Sequence, residues 1–214
     1  MSQPMRLIGT FQDPGYLALA DAVLGFYARR SDLQRRGVAF GEGPGDHPPA
    51  KVSTDISLVA LDRQDAEAHG LSEVVMRGVS AGLRRWLAER PQFLECCPER
   101  SLFVNPLFNL QHYGPGEGFA AWHCDWNTSD EATEPIRRVL AWILYCDTVP
   151  GGGTEFLWQQ YCLPAEKGTL AIFPAGLSHI HRGQISHDHS KTIATGWINA
   201  GTLDAYKQRL QQAA

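Results

Sequence analysis

Beyond Pro98 the chain breaks into short runs rich in Val, Ile, Leu and aromatic residues. They are divided by GPGEG (114–118), PGGG (150–153) and PAEKG (164–168), and by a turn-prone stretch at 183–190. Short hydrophobic runs punctuated by Gly and Pro at this spacing are the signature of an antiparallel sandwich or barrel.

The chain before Pro98 has a different texture. Asp13-Pro14 marks a helix start, with Pro at the first helical position, and Leu17, Ala20, Val23, Leu24 and Tyr27 then recur at helical spacing. The run GEGPGDHPPA (41–50) is a loop, and Lys51 to Leu61 reads as extended. From about Arg63 to Arg90 helical periodicity returns, with Leu71, Val74, Val75, Val79, Leu83, Trp86 and Leu87 on one stripe. No linker separates the two textures and no repeat is present. The expectation is one domain over 1–214: helical support from 1–98 packed on one face of a sheet, a β core over 99–200 and a C-terminal helix over 201–214. With 214 residues and 43% hydrophobic content there is material for one substantial core.

Charge and cysteine usage narrow the function classes. The net charge is -4 and the basic pairs Arg29-Arg30, Arg35-Arg36 and Arg84-Arg85 read as helical surface, so no nucleic-acid partner is expected. The start of the chain lacks the basic and apolar pattern of a signal peptide, and no run approaches the ~20 apolar residues that span a bilayer. The five cysteines, Cys96, Cys97, Cys124, Cys146 and Cys162, form no C-x-x-C. They fit inert thiols in a reducing compartment, and the expectation is a cytoplasmic protein without a membrane partner.

Two groups carry chemistry. In His123-Cys124-Asp125 the imidazole and carboxylate stand two apart, so a strand would turn both to one face. Alone, the triplet is weak. It gains weight from His179, His181, His187 and His189 on a later segment, because two histidines and one carboxylate make the facial triad of iron(II) oxygenases. Periodicity does not separate His179 from His181. His187 and His189 stand too close to Lys191 for a five-carbon diacid to fit between ligand and cation. Lys191 opens a strand on which Ile193, Thr195 and Trp197 share its face, a cation, hydroxyl and indole suited to an anionic cosubstrate, while Ala194 and Ile198 pack behind.

Over roughly 101–199 the chain resembles the prolyl-4-hydroxylase-like branch of the iron(II)/2-oxoglutarate dioxygenases. The resemblance rests on Tyr113-Gly-Pro-Gly-Glu-Gly before His123-Cys-Asp125, Val139-Leu-Ala-Trp-Ile-Leu-Tyr-Cys-Asp147 and Gly151-Gly-Gly-Thr-Glu-Phe156. It continues with Lys167-Gly-Thr-Leu-Ala-Ile-Phe-Pro174, His179-Ile-His181-Arg-Gly183 and Lys191 to Trp197. It implies a mostly β fold, a double-stranded β-helix or jelly roll buttressed by α-helices. It implies iron(II) held by His123, Asp125 and one later histidine. His181, ten residues before Lys191, fits the family spacing better than His179, twelve before. Lys191 would pair with the distal carboxylate of 2-oxoglutarate, with Tyr113, Tyr145 and Thr195 completing that pocket and Trp197 near the metal ligands. The implied cofactors are Fe(II), 2-oxoglutarate and O2, with ascorbate as an optional reductant. The implied reaction hydroxylates an unactivated C–H and releases succinate and CO2. The substrate class stays open among amino acids, peptides or proteins and small metabolites, as does the oligomeric state. The chain departs from the family at Arg182-Gly-Gln-Ile-Ser-His-Asp-His-Ser, where an apolar-Pro-Val stretch is usual.

Rival readings are a zinc-dependent hydrolase, which leaves Lys191 without a role, and a non-catalytic jelly-roll metal-binding module. A halogenase is disfavoured because halide would need the position that Asp125 fills. The segments 41–50 and 126–136 are candidate lids.

Overall fold

Residues 7–39, 49–126 and 137–212 are described by the structure, a computed structural model. The strands are β1 (Gly9–Phe11), β2 (Arg35–Arg36), β3 (Thr54–Val59), β4 (Leu102–Tyr113), β5 (Arg138–Tyr145), β6 (Val149–Phe156), β7 (Tyr161–Ala165), β8 (Leu170–Pro174), β9 (His181–Gly183) and β10 (Lys191–Ala200). The helices are α1 (Pro14–Arg29), α2 (Ala66–Ala88), α3 (Pro91–Cys96) and α4 (Leu203–Gln212). The candidate lids lie almost wholly outside the described residues.

Seven strands form one antiparallel sheet in the order β1-β8-β5-β10-β4-β3-β2, and β7-β6-β9 form a second. This is the jelly roll with helical buttresses. Strand β5 shows how its layers are divided. Leu140, Trp142 and Leu144 turn to a core shared with α1 and α2, whereas Ala141, Ile143 and Tyr145 turn to the core between the sheets. A strand covered on both faces must be apolar at every position, which is why this segment reads as a continuous hydrophobic run.

Both long helices begin at aspartate caps. Asp13 accepts from the amides of Gly15 and Tyr16, with Pro14 in the first turn, and Asp65 accepts from Ala68. The buried face of α1 is Tyr16, Leu19, Ala20, Val23, Phe26 and Tyr27. Leu17, expected on the inner stripe, is 45% exposed. Tyr16 takes the place instead, its hydroxyl donating to the Gly78 carbonyl on α2. Val74 of the α2 stripe is likewise exposed.

The first part of the chain supplies more than helices. Strands β1, β2 and β3 extend the large sheet at both edges, β1 pairing with β8 and β3 with β4. Arg35-Arg36, expected on a helical surface, instead forms the edge strand β2. Strands of two and three residues are too short for an alternation to show in the sequence. All five cysteines are free.

Candidate metal and cosubstrate site

His123 and His181 are brought together by an isolated antiparallel bridge between the ligand loop and β9. Each donates its amide to the other's carbonyl, at 3.0 and 2.9 Å. The Asp125 amide donates to the Ala175 carbonyl, which fixes the other end of the short ligand loop. The result is one cluster in which ligand atoms of His123, Asp125 and His181 all lie within 4.8 Å of one another.

The tautomers are set by neighbours. His123 Nδ1 donates to the Ala121 carbonyl and His181 Nδ1 to the His179 carbonyl, both at 2.9 Å. Each Nε2 therefore carries its lone pair towards the cluster, the usual device that orients a ligating histidine. Burial, reinforced by the neighbouring His181, lowers His123 to about 4, so it is neutral and ready to bind metal near pH 7. The Phe119 ring stacks on His123 at 3.7 Å between centroids. Asp125 accepts from the Trp197 indole at 3.1 Å. The Arg138 guanidinium lies over that indole, 3.6 Å from the ring centroid, and donates to the Asp125 carbonyl at 2.8 Å.

Two imidazole nitrogens and a carboxylate, opening into a cavity, fit a metal that keeps several coordination positions for other ligands. The cavity has a volume of about 840 Å³. Lys191 lies on its wall and is only 6% exposed. Its ammonium donates to the carbonyls of Gly152 at 2.6 Å and Gln184 at 3.3 Å, and it stands 5.1 Å from the centre of the Tyr113 ring. No described carboxylate forms an ion pair with it. Burial lowers its pKa to about 8. Tyr145 shares a 2.6 Å hydrogen bond with Thr154, and Tyr113 donates to Gln111 at 2.7 Å. Burial raises the pKa of both tyrosines, so they stay protonated. The Thr195 hydroxyl donates to the Trp142 carbonyl at 2.8 Å, so within this pocket it can only accept.

All seven site residues expected from the sequence line this one cavity: His123, Asp125, His181, Lys191, Tyr113, Tyr145 and Thr195. His179 does not. It ends a single 3-10 turn, Leu177–His179, rather than sharing a strand face with His181, and its Nδ1 bonds Ser178. His187 and His189 sit in the turn before β10, outside the lining. That turn packs on 114–118, the Gly116 amide donating to the Ser186 carbonyl. Sequence reasoning missed Arg138, Phe119, Thr154 and the pairing of buried Lys51 with Asp55. Nothing local marks them, because each is placed by strands far away in the chain.

Residues 108–199 match the family model of the 2OG-Fe(II) oxygenase superfamily. This segment is a 2OG-Fe(II) oxygenase domain. The matched span contains all seven expected site residues, and the match supports a 2-oxoglutarate-dependent dioxygenase that uses Fe(II), 2-oxoglutarate and O2. No curated protein matches the sequence. The oxygenase fold is similar over nearly the whole chain to three solved structures. A viral collagen prolyl hydroxylase from Paramecium Bursaria Chlorella virus-1, in its 2OG complex, aligns with TM-score 0.63 and 16% identity, covering 94% of this chain and 99% of that one. A Pseudomonas putida prolyl-4-hydroxylase aligns with TM-score 0.60 and 16% identity over 92% and 94%. A Trichoplax adhaerens prolyl hydroxylase, in complex with a hypoxia inducible factor oxygen degradation domain peptide fragment, aligns with TM-score 0.60 and 11% identity over 96% and 87%. No described helix is long and apolar enough to cross a membrane.

Proposed function

We propose that the oxygenase is a hydroxylase of a peptide or protein side chain, with a prolyl residue as first candidate. His123, Asp125 and His181 would hold iron(II), and Lys191 would hold 2-oxoglutarate. The observation that carries this reading is the His123–Asp125–His181 cluster sharing one cavity with a buried lysine that pairs with no described carboxylate. Iron(II) with 2-oxoglutarate and dioxygen supplies the oxidising power. One oxygen atom goes to succinate as CO2 leaves, and the other enters the substrate C–H bond.

The remaining work falls to the chain's own residues. Lys191, held by two carbonyls with a third N–H left to give, would meet the distal carboxylate of the cosubstrate. Tyr145 and Tyr113 would border that carboxylate, with Thr154 and Gln111 fixing their hydroxyls. Thr195, able only to accept, is assigned a packing role beside it. The Trp197–Asp125 contact anchors one carboxylate oxygen, which would leave the other to ligate the metal. Phe119 and Phe173 give the metal end apolar walls that keep out water.

A peptide substrate is favoured because the cavity runs well beyond the metal and lysine, across the face of β4 and β3 to the segment Leu33 to Ala39. The solved relatives are prolyl hydroxylases, one of them bound to a peptide. The test is succinate release with Fe(II) and 2-oxoglutarate against prolyl peptides, free amino acids and small acids, with anaerobic and iron-free controls. Stimulation by peptides but not by free proline is the expected result. Zinc-dependent hydrolysis without succinate would overturn it.

A further inference from the structure

Two buried lysines line the cavity, and their partners differ. Lys191 is held by backbone carbonyls and pairs with no described carboxylate. Lys51 is 3% exposed and forms an ion pair with Asp55, whose side chain is 13% exposed and lines the same cavity. The backbone sets this pair beside the metal end. Lys51 is bridged to Phe119, the Val52 amide donates to the Gly118 carbonyl at 2.9 Å, and the Phe119 ring stacks on His123. Asp55 of β3 stands opposite Gln111 of β4, which stands opposite Ile193 of β10. Two strand spacings therefore separate Asp55 from the strand that carries Lys191, about 10 Å at roughly 4.8 Å each. The pair has no part in the proposed holding of metal or cosubstrate.

The chemistry of the pair decides what it can take. An ammonium has three N–H donors, and the described hydrogen bond of Lys51 spends one of them on Asp55 Oδ2. Asp55 Oδ1 accepts from Ser53 at 2.8 Å, and each carboxylate oxygen has a second lone pair. Beside them Gln111 accepts the Tyr113 hydroxyl through Oε1, which leaves its carboxamide nitrogen as a donor. Because the two charges compensate one another, the pair presents a donor and an acceptor side by side with little net field. A free carboxylate would meet Asp55 as well as Lys51 and gain little. A neutral backbone group matches both positions and is easier to desolvate than a pair of free charges.

We infer that Lys51 and Asp55 grip the main chain of a peptide substrate, Lys51 donating to the carbonyl and Asp55 accepting from the amide of one residue that flanks the hydroxylated one. The inference rests on the peptide hydroxylase reading above. In an extended chain the N–H and C=O of one residue point to the same side, as they do towards a partner strand, so a single residue can meet both groups. A proline has no N–H, so the residue gripped is a neighbour of the proline. The pair thereby selects for membership of a chain and is indifferent to the side chain of the residue it holds.

The experiment measures succinate release with Fe(II) and 2-oxoglutarate on acetyl- and amide-blocked nonapeptide pools, randomised around one fixed central proline. Companion pools each carry one N-methylated amide at a defined position. In the parent, methylation at one flanking position should raise KM at least tenfold while kcat falls much less. In the Lys51→Met/Asp55→Leu double variant the unmethylated pool should already show the raised KM, and methylation at that position should add nothing. Replacing both members of a buried pair by apolar residues is often neutral or stabilising, so the thermal melt should not fall. Calorimetry should show peptide binding lost far more than 2-oxoglutarate or Mn(II) binding. A flat methylation scan in the parent, the same methylation effect in the double variant, or equal loss of peptide, 2-oxoglutarate and Mn(II) affinity would overturn the inference. So would inhibition by free proline that the double variant loses, which would assign the pair to a zwitterion. If the double variant does not melt cooperatively, the scan in the parent decides alone. Iron-dependent succinate release with a flat scan fails this site alone. No release from any pool fails the hydroxylase reading, and the inference with it.

Discussion

The indole N–H of Trp197 donates to Asp125 Oδ1 at 3.1 Å, while Oδ2 of the same carboxylate faces His181 Nε2 at 3.7 Å. One oxygen is thereby anchored and the other directed at the metal position. Partners that orient a ligand in this way are worth about 10–100-fold in metal affinity. Trp197→Phe keeps the ring and removes the donor, so Fe(II) or Mn(II) affinity is expected to fall by about that factor, with the circular dichroism spectrum unchanged. Titration calorimetry reads the outcome.

The two neighbouring histidines should behave differently. His181→Ala removes a cluster member whose Nδ1 is tied to a carbonyl and whose Nε2 is aimed inward. It should abolish stoichiometric iron binding. His179→Ala should leave iron affinity within a few-fold of the parent. Equilibrium dialysis with metal analysis distinguishes them, and loss of iron in the 179 variant alone would reassign the ligand.

Lys191 gives a pH signature of two opposed trends. Burial lowers its pKa from 10.5 to about 8. Between those values the unfolded chain binds more protons than the folded one, so this group makes the ligand-free protein more stable as pH rises from about 8 to 10.5. The cosubstrate needs the cation, so 2-oxoglutarate affinity should fall through the same window, by up to about tenfold per pH unit. Lys191→Ala should raise the 2-oxoglutarate Kd far more than the metal Kd and flatten its pH dependence. Calorimetry between pH 6.5 and 9.5 and parallel thermal melts provide both readings.

Stability of the helical layer centres on Trp86. It is fully buried, donates to the Leu7 carbonyl at 3.1 Å and meets Phe93 edge to face. Trp86→Ala should cost about 3–5 kcal/mol, read as a shift in the urea midpoint. A cost under about 1 kcal/mol would mean that the layer collapses to fill the space.

What the sequence made legible follows from the range of each signal. The Asp13-Pro14 start was readable because a cap and its proline are local. The burial of Tyr16 instead of Leu17 was not, because both lie within one residue of the same stripe and α2 decides between them. Strands β1 and β2 carry no periodicity of their own and exist through β8 and β3. His123 and Asp125 were legible as a pair two apart. The separation of His179 from His181 depended on family spacing, since the 3-10 turn that parts them has no clear mark in the sequence. Arg138 and Phe119 reach the metal end only through the closed fold.

The strand order places β5, β10 and β4 centrally and leaves β3 and β2 at one margin. The residues proposed for chemistry lie between 113 and 195, while the far floor of the cavity comes from 33–57 together with Asn109 and Gln111 on β4. Under the proposed reading, a change in the early segment is expected to alter what the enzyme accepts without disturbing how it oxidises. Grafting residues 31–59 onto a related jelly roll would transfer selectivity as a cassette, with the iron end inherited intact from the host.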